Sequence, residues 1–329
     1  MLQQLFGSKP VHCAGPAQGA GGHGDVHDLS YYLKCMAGGV FACGLTHTAV
    51  VPIDIVKCRL QADPTKLKGM GDAYRALNAS GKSWMTLGWL PTFIGYSFQG
   101  MAKFGFYEVF KDLYGGVAES LLGGDKAYSF RTLTYALSSA SAEFFADMLL
   151  CPFEAVKVRI QTSPEGTFPT TFGPAWSKIS ANEGFNGFYK GITPLWCRQI
   201  PYTIMKFVVF ERTVEFIFKN ILHATRDDFG KNFNLGITFL SGYIAGVVCA
   251  LVSHPADTLF TAYNKKQTQG AFMEEIKKIY KDMPAGGLWK GLIPRIIMIG
   301  TLTGLQWWLY DTWKTWWGLK PTGSTGPKK

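Results

Sequence analysis

The chain has 329 residues, 33 of them basic and 23 acidic, for a net charge of +10; it is 47% hydrophobic, 15% aromatic and only 17% charged. That composition argues against an ordinary soluble domain or a disordered chain and favours a membrane protein, while a mean hydropathy of +0.06 points to helices with one lipid face and one wet face. The seven cysteines are scattered, with no C-x-x-C pair and no metal-ligand spacing, so they read as free thiols in a reducing compartment.

Residues 1–28 are rich in Gly, Ala, Pro and His and lack arginine, so they read as a flexible tail, unlike a secretory signal or an Arg-rich transit peptide. A long apolar segment follows from Tyr31 to about Gln61, with Ala37, Gly38, Gly39 and Ala42 offering a close-packing face. About 20 of its residues precede Pro52, enough to span a bilayer core, and Pro52 predicts a kink within one helix. After a short amphipathic piece at 72–79, a second apolar segment runs over 89–113 and ends in Tyr107-Glu108-x-x-Lys111.

The same plan recurs. Pro52-x-Asp54-x-x-Lys57-x-Arg59-x-Gln61 returns as Pro152-x-Glu154-x-x-Lys157-x-Arg159-x-Gln161 and, weakened, as Pro255-x-Asp257-x-x-Phe260. A repeat of about 100 residues suits two helices and a connection, used three times. The second copy predicts helices over 128–161, 176–182 and 192–218. The third predicts them over 233–264, where Gly242-x-x-x-Gly246 lies, and over 272–281 and 292–317. Gly88-x-x-Pro91, Gly191-x-x-Pro194 and Gly291-x-x-Pro294 open the even helices, where proline suits the first turn. The resulting organisation is a tail over 1–28, repeats over 29–122, 123–225 and 226–318, and a Pro-, Gly- and Lys-rich tail over 319–329 expected to be disordered.

These phased signatures resemble the mitochondrial carrier family over roughly residues 31–318. Within it, the stretches around His47, Gln99 to Glu108, Glu143 to Asp147, Arg198 to Tyr202, His254 to Asp257 and Gly300 to Gln306 are similar to its phosphate-carrying members. The resemblance implies an all-α membrane protein of the mitochondrial inner membrane: six transmembrane helices in three pseudo-symmetric repeats form a barrel, with three short helices on the matrix side. It implies a monomer among inner-membrane lipids such as cardiolipin, with no cofactor, metal or nucleic acid. It also implies a gate at each end. At the proline end Asp54 would pair with Lys157 and Asp257 with Lys57, leaving Glu154 without a lysine because position 260 is Phe. At the other end Glu108, Lys111, Glu211, Asp311 and Lys314 would pair, with Val214 in the place of one cation.

Structural residues should recur three times, whereas a small substrate needs residues that do not. On the odd helices, nine and five residues before the proline stand Cys43 and His47, Glu143 and Asp147, and Gly246 and Ala250. On the even helices the columns are Gly95, Gln99, Lys103; Arg198, Tyr202, Lys206; and Met298, Leu302, Gln306, each at i, i+4, i+8 and so on one face. The asymmetry points to a small anion bound off-axis, held by Arg198, Lys206, Gln99 and Lys103 with Tyr202 and Gln306; the family resemblance implies Gln199, beside Arg198, as a further contact on the fourth helix. Ionisable groups at membrane depth normally face an aqueous path or each other. Lys103 and Lys206 alternatively snorkel to head groups, Tyr202 and Gln306 make plain interhelical bonds, and Arg198 clamps the chain near Pro201. His47 is either a hydrogen-bonded core residue or, with Glu143, Asp147 and Glu154, part of a proton-coupling set.

No enzyme is indicated. The expected activity is entry of inorganic phosphate with a proton, or against hydroxide, by alternating access. A carrier of a dicarboxylate, thiosulfate or copper through Cys43, or a scaffold that does not transport, are the alternatives.

Overall fold

A computed structural model describes residues 28–62, 70–79, 82–122, 129–163, 166–224, 228–266, 272–282, 289, 292–319 and 321–322, and among these all regular structure is helical. The tail assigned to the first 28 residues lies outside them except for Asp28, whose carboxylate caps helix α1 (Leu29–Ala49) by accepting from the Tyr31 amide at 2.9 Å. The expected single helix kinked at Pro52 is corrected. α1 stops at Val50 and a new helix, α2 (Val51–Ala62), begins. Pro52 is thus the second residue of a fresh helix, where an absent N–H leaves no bond unmade. In the other two repeats the equivalent Pro152 and Pro255 lie inside uninterrupted helices, α5 (Arg131–Thr162) and α9 (Lys231–Lys266).

The even helices are α4 (Trp89–Leu122), α8 (Ile192–Phe216) and α11 (Leu292–Trp316). α4 runs past the expected end at Leu113, because Gly115 and Gly116 are tolerated within it and no proline follows. α8 passes into a π turn at Ile217–Ile221. Short helices α3 (Met70–Ala79), α6 (Phe172–Glu183), α7 (Asn186–Tyr189) and α10 (Phe272–Asp282) occupy the connections. In the second repeat Glu183 ties this layer down: it takes Arg159 from α5 and Lys190 from beyond α7, at 2.6 Å for the latter. The Arg159 hydrogen bond, then that of Lys190, holds its carboxyl down to about 2.

The six long helices close into a ring in chain order: α1 packs on α4, α4 on α5, α5 on α8, α8 on α9, α9 on α11, and α11 back on α1. Glycines set two of these crossings. A Cβ on Gly39 would stand 2.1 Å from the Gly100 carbonyl oxygen, and one on Gly246 2.7 Å from the Gly300 Cα. Gly39→Ala should therefore lower the thermal unfolding midpoint of the detergent-purified protein by roughly 5 °C, as overpacking of a tight contact does. Gly173→Ala, which meets open space, should leave it in place; equal shifts would remove the crossing from this account.

Among the described residues one helix segment, Lys231–Pro255, is apolar and long enough to cross a membrane by composition alone. Several of the other long helices fall short because they carry polar and charged residues on their ring-facing side, and those residues make up the site. At the end of the ring bearing Glu108, Glu211 and Asp311, the interior is filled by Phe104, Tyr107, Phe207, Phe210, Trp307 and Tyr310, each at most 1% exposed. Phe210 and Trp307 stack at 3.7 Å and Phe104 and Tyr310 at 4.2 Å, so this end is closed by a continuous aromatic layer.

Candidate functional site

Between the two ends, five helices bring polar side chains to one level of the ring. Lys103 on α4 lies 2.9 Å from Glu143 Oε2 on α5. One turn away, the Gln99 amide donates to Glu143 Oε1 at 3.0 Å and to Asp147 Oδ1 at 3.1 Å. All four are buried, Glu143 and Asp147 completely. The i, i+4 columns thus place two carboxylates against one ammonium and one amide, a cluster with an excess negative charge when both acids are ionised.

Across the ring the arrangement has the opposite sign. Lys206 on α8, 2% exposed, donates to Gln306 Oε1 on α11, and among the described residues no carboxylate lies within ion-pair distance of it. The Gln306 amide nitrogen in turn lies 3.2 Å from His47 Nδ1 and donates to Thr46 Oγ1 at 3.4 Å. His47 Nδ1 is also 3.0 Å from the Cys43 carbonyl. A carbonyl only accepts, so a protonated Nδ1 bonds Cys43, whereas a bare Nδ1 accepts from Gln306. The imidazole changes partner with its proton.

His47 also stacks on Tyr96 at 3.8 Å and 11°, and the Lys157 ammonium sits 5.0 Å over that same ring. Lys157 pairs with Asp54 at 3.1 Å, the bridge expected at the proline end. Glu154 is not left without a lysine. Its own-helix neighbour Lys157 lies 3.7 Å away, because i and i+3 share a helical face, a local pairing that comparison of repeats overlooks. The side chains of Lys57, Asp257 and Phe260 lie outside what is described, and the second expected bridge with them.

The expected carboxylate-imidazole contact is absent from the bonds among the described residues: His47 turns to Gln306, while Glu143 and Asp147 turn to Gln99 and Lys103. Arg198 is exposed, Gln199 and Tyr202 are half-buried, and among the described residues neither Arg198 nor Gln199 has a hydrogen-bond or ion-pair partner. Arg295 on α11 was missed by the column reading. It donates to Ser253 Oγ at 3.1 Å and lies near enough to Arg198 for the two charges to repel. The signal was present one residue after the three phased prolines, where Thr92 and Leu195 stand in the first two repeats and Arg295 in the third.

At the aromatic end Lys314 lies 3.4 Å from Glu108, and Lys111 lies 3.6 Å from both Glu211 and Glu108. Tyr107 adds a hydroxyl bond to Glu211 at 3.2 Å. Asp311 accepts from Thr238 Oγ1 at 2.8 Å and from the Thr322 amide at 3.0 Å. The expected disorder from residue 319 onward is corrected for the described part: Thr322 is 3% exposed. Residues 323–329 lie outside the description.

Residues 28–117, 129–221 and 231–321 each match the family model for mitochondrial carrier proteins. The chain belongs to the mitochondrial carrier family. It is 50% identical over 312 residues to the mitochondrial phosphate carrier protein of Caenorhabditis elegans, covering 93% of this chain and 88% of that one. To solute carrier family 25 member 3 of Homo sapiens it is 49% identical, covering 88% and 77%. To a probable mitochondrial phosphate carrier protein of Schizosaccharomyces pombe it is 47% identical, covering 91% and 95%. For a mitochondrial carrier with three matching repeats, the polar level lacks threefold symmetry: two carboxylates with Lys103 and Gln99 stand on one side, and Lys206 against Gln306 on the other.

Proposed function

We propose that this carrier moves inorganic phosphate across the mitochondrial inner membrane into the matrix together with a proton, by alternating access of one central site within six membrane-spanning helices. The observation that carries the reading is Lys206. An ammonium buried against a neutral amide is costly, by several kcal/mol per ion, and a small oxyanion is the group that offsets the cost. Arg198 and Arg295 stand toward the proline end of the same helices, with fork-shaped donors suited to phosphate oxygens. The names and extent of similarity of the relatives support phosphate over a dicarboxylate.

Proton coupling follows from charge balance on the other side of the ring. Glu143 and Asp147 face one cation, Lys103, so a single proton makes that cluster neutral. With the acids facing Gln99 and the cations facing Gln306, substrate and proton enter separate halves of one level. His47, whose Nδ1 bonds Cys43 when it carries a proton and accepts from Gln306 when it is bare, would link the position of its proton to the anion side. The paired charges at the two ends, Asp54 with Lys157 and Glu108, Lys111, Glu211 and Lys314 together, would break in turn as the site opens to either side.

The test is uptake of labelled phosphate into liposomes holding the purified protein, with the internal pH set above or below the external. Uptake should accelerate when the inside is alkaline and reverse with the gradient. Rapid exchange of a dicarboxylate without phosphate uptake would sink the substrate assignment. His47→Ala should move the pH profile of uptake in the range of about pH 6 to 8; an unmoved profile would return His47 to a packing role.

A further inference from the structure

Tyr96 on α4 stands between the imidazole of the polar level and the charged pair at the proline end. His47 from α1 lies flat on its ring, with centroids 3.8 Å apart and planes at 11°. The Lys157 ammonium from α5 sits 5.0 Å from the centre of the same ring, and this ammonium bridges to Asp54 on α2 at 3.1 Å. Helical phase explains why one ring serves both. Tyr96 precedes Gln99 by three residues, so it shares the face of α4 that meets the polar level, one turn nearer the proline end. The ring is buried, and charges held around a buried group are screened far less than surface ones.

Among the described residues, the charged groups that act on this stack are Asp54 from α2, Glu154 and Lys157 from α5, and Lys206 and Arg198 from α8. α11 presents the neutral amide of Gln306 to the imidazole. An imidazolium at this place has a definite sign of effect on the bridge: it repels Lys157 and attracts Asp54, and both forces pull the pair apart. It also competes with Lys157 for the electron-rich ring. Lys206 and Arg198 repel the same imidazolium, and an oxyanion held between them removes that repulsion. A neutral imidazole exerts none of these forces.

We infer that Tyr96 is the positioning residue that carries the protonation of His47 to the gate at the proline end. By holding imidazole and ammonium on one ring, it makes a proton on His47 loosen the bridge from Lys157 to Asp54. That end therefore opens more readily with proton and anion both aboard than with either alone. The link to transport rests on the proton-coupled reading above, whereas the coupling of His47 to the bridge is measured without it.

The face of the ring makes the link and the hydroxyl does not, so Tyr96→Phe keeps it, while Tyr96→Met removes it and still fills the space. The first measurement uses the detergent-purified full chain without phosphate, acidified from about pH 8 to about pH 6. The thermal unfolding midpoints of the unsubstituted protein and of Tyr96→Phe should fall by roughly 2 °C more than that of Tyr96→Met. Beside His47→Ala, or beside Asp54→Asn with the ring intact, the extra fall should vanish, because the proton or the bridge is gone. Comparing changes with pH removes any general loss of stability from the result. In liposomes, phosphate uptake by Tyr96→Phe should keep the parent pH profile, whereas that of Tyr96→Met should flatten severalfold, and beside His47→Ala the two profiles should coincide. Equal pH responses of the Phe and Met variants would overturn the link, as would an extra fall that persists beside His47→Ala or Asp54→Asn. Should Tyr96→Met fail to fold, the unsubstituted protein and Asp54→Asn decide, and equal falls on acidification overturn the link. Absence of uptake in the unsubstituted protein would overturn the phosphate reading, while the midpoints would still decide whether His47 and the bridge are joined through the ring.

Discussion

Lys206→Met is expected to reduce phosphate uptake by roughly 100-fold or more while leaving the fold intact or stabilising it. The two halves of that expectation have one cause. The ammonium is 2% exposed and donates to the oxygen of Gln306, and among the described residues no carboxylate lies within ion-pair distance of it, so the unloaded protein bears much of the desolvation of that charge. Methionine of similar length removes that cost and fills the same space. If Lys206 holds the anion as proposed, the substrate loses a buried, charge-assisted contact, and about 3 kcal/mol corresponds to the stated loss in rate. Lys103→Met is the contrast, because Lys103 neutralises Glu143 at 2.9 Å and its removal strands two buried acids. That variant should unfold several degrees earlier. Initial uptake rates and unfolding midpoints of both variants, measured side by side, decide the matter. A Lys206→Met protein that transports within about threefold of the parent, or that melts as early as Lys103→Met, would show the ammonium to be structural.

The difference between those two lysines was not legible in the sequence. Both stand at the same position of their repeats, and helical phase placed both on the ring-facing side, where the structure also finds them. What phase cannot supply is the rotation and spacing of the neighbouring helix, which give Lys103 an acid and Lys206 an amide. The same limit explains His47. Its depth matched that of Asp147, yet it sits on α1 beside α11 and not beside α5, so its partner is Gln306. Local proximity was underweighted at Glu154, whose lysine lies three residues along its own helix. The threefold organisation, in contrast, was open to reading because proline, glycine and paired charges recur in phase and each has a backbone or pairing consequence. Departures from that phase are informative as well: Arg295 stands where the first two repeats have Thr92 and Leu195.

Asp147→Asn is the second large effect, and it separates binding from coupling. In the parent cluster two carboxyl groups share Gln99 as a donor and have one cation between them. Replacing Glu143 would remove the ion pair of Lys103, so loss of activity there would say little. Replacing Asp147 leaves Lys103 and Glu143 paired and the cluster neutral with no proton bound. Asparagine still accepts from Gln99 through its carbonyl oxygen, and packing is unaltered. Phosphate should therefore continue to exchange against phosphate, within a few-fold of the parent rate, because the anion side at Lys206 and Gln306 is untouched. If the cluster carries the proton as proposed, accumulation driven by an alkaline interior should fall at least tenfold, because with Asp147→Asn it is neutral without one. The two assays use the same vesicles, one loaded with phosphate and one with only a pH difference. Should Asp147→Asn accumulate phosphate against its gradient as well as the parent does, the proton is carried elsewhere, and Glu154 beside Lys157 becomes the next group to test.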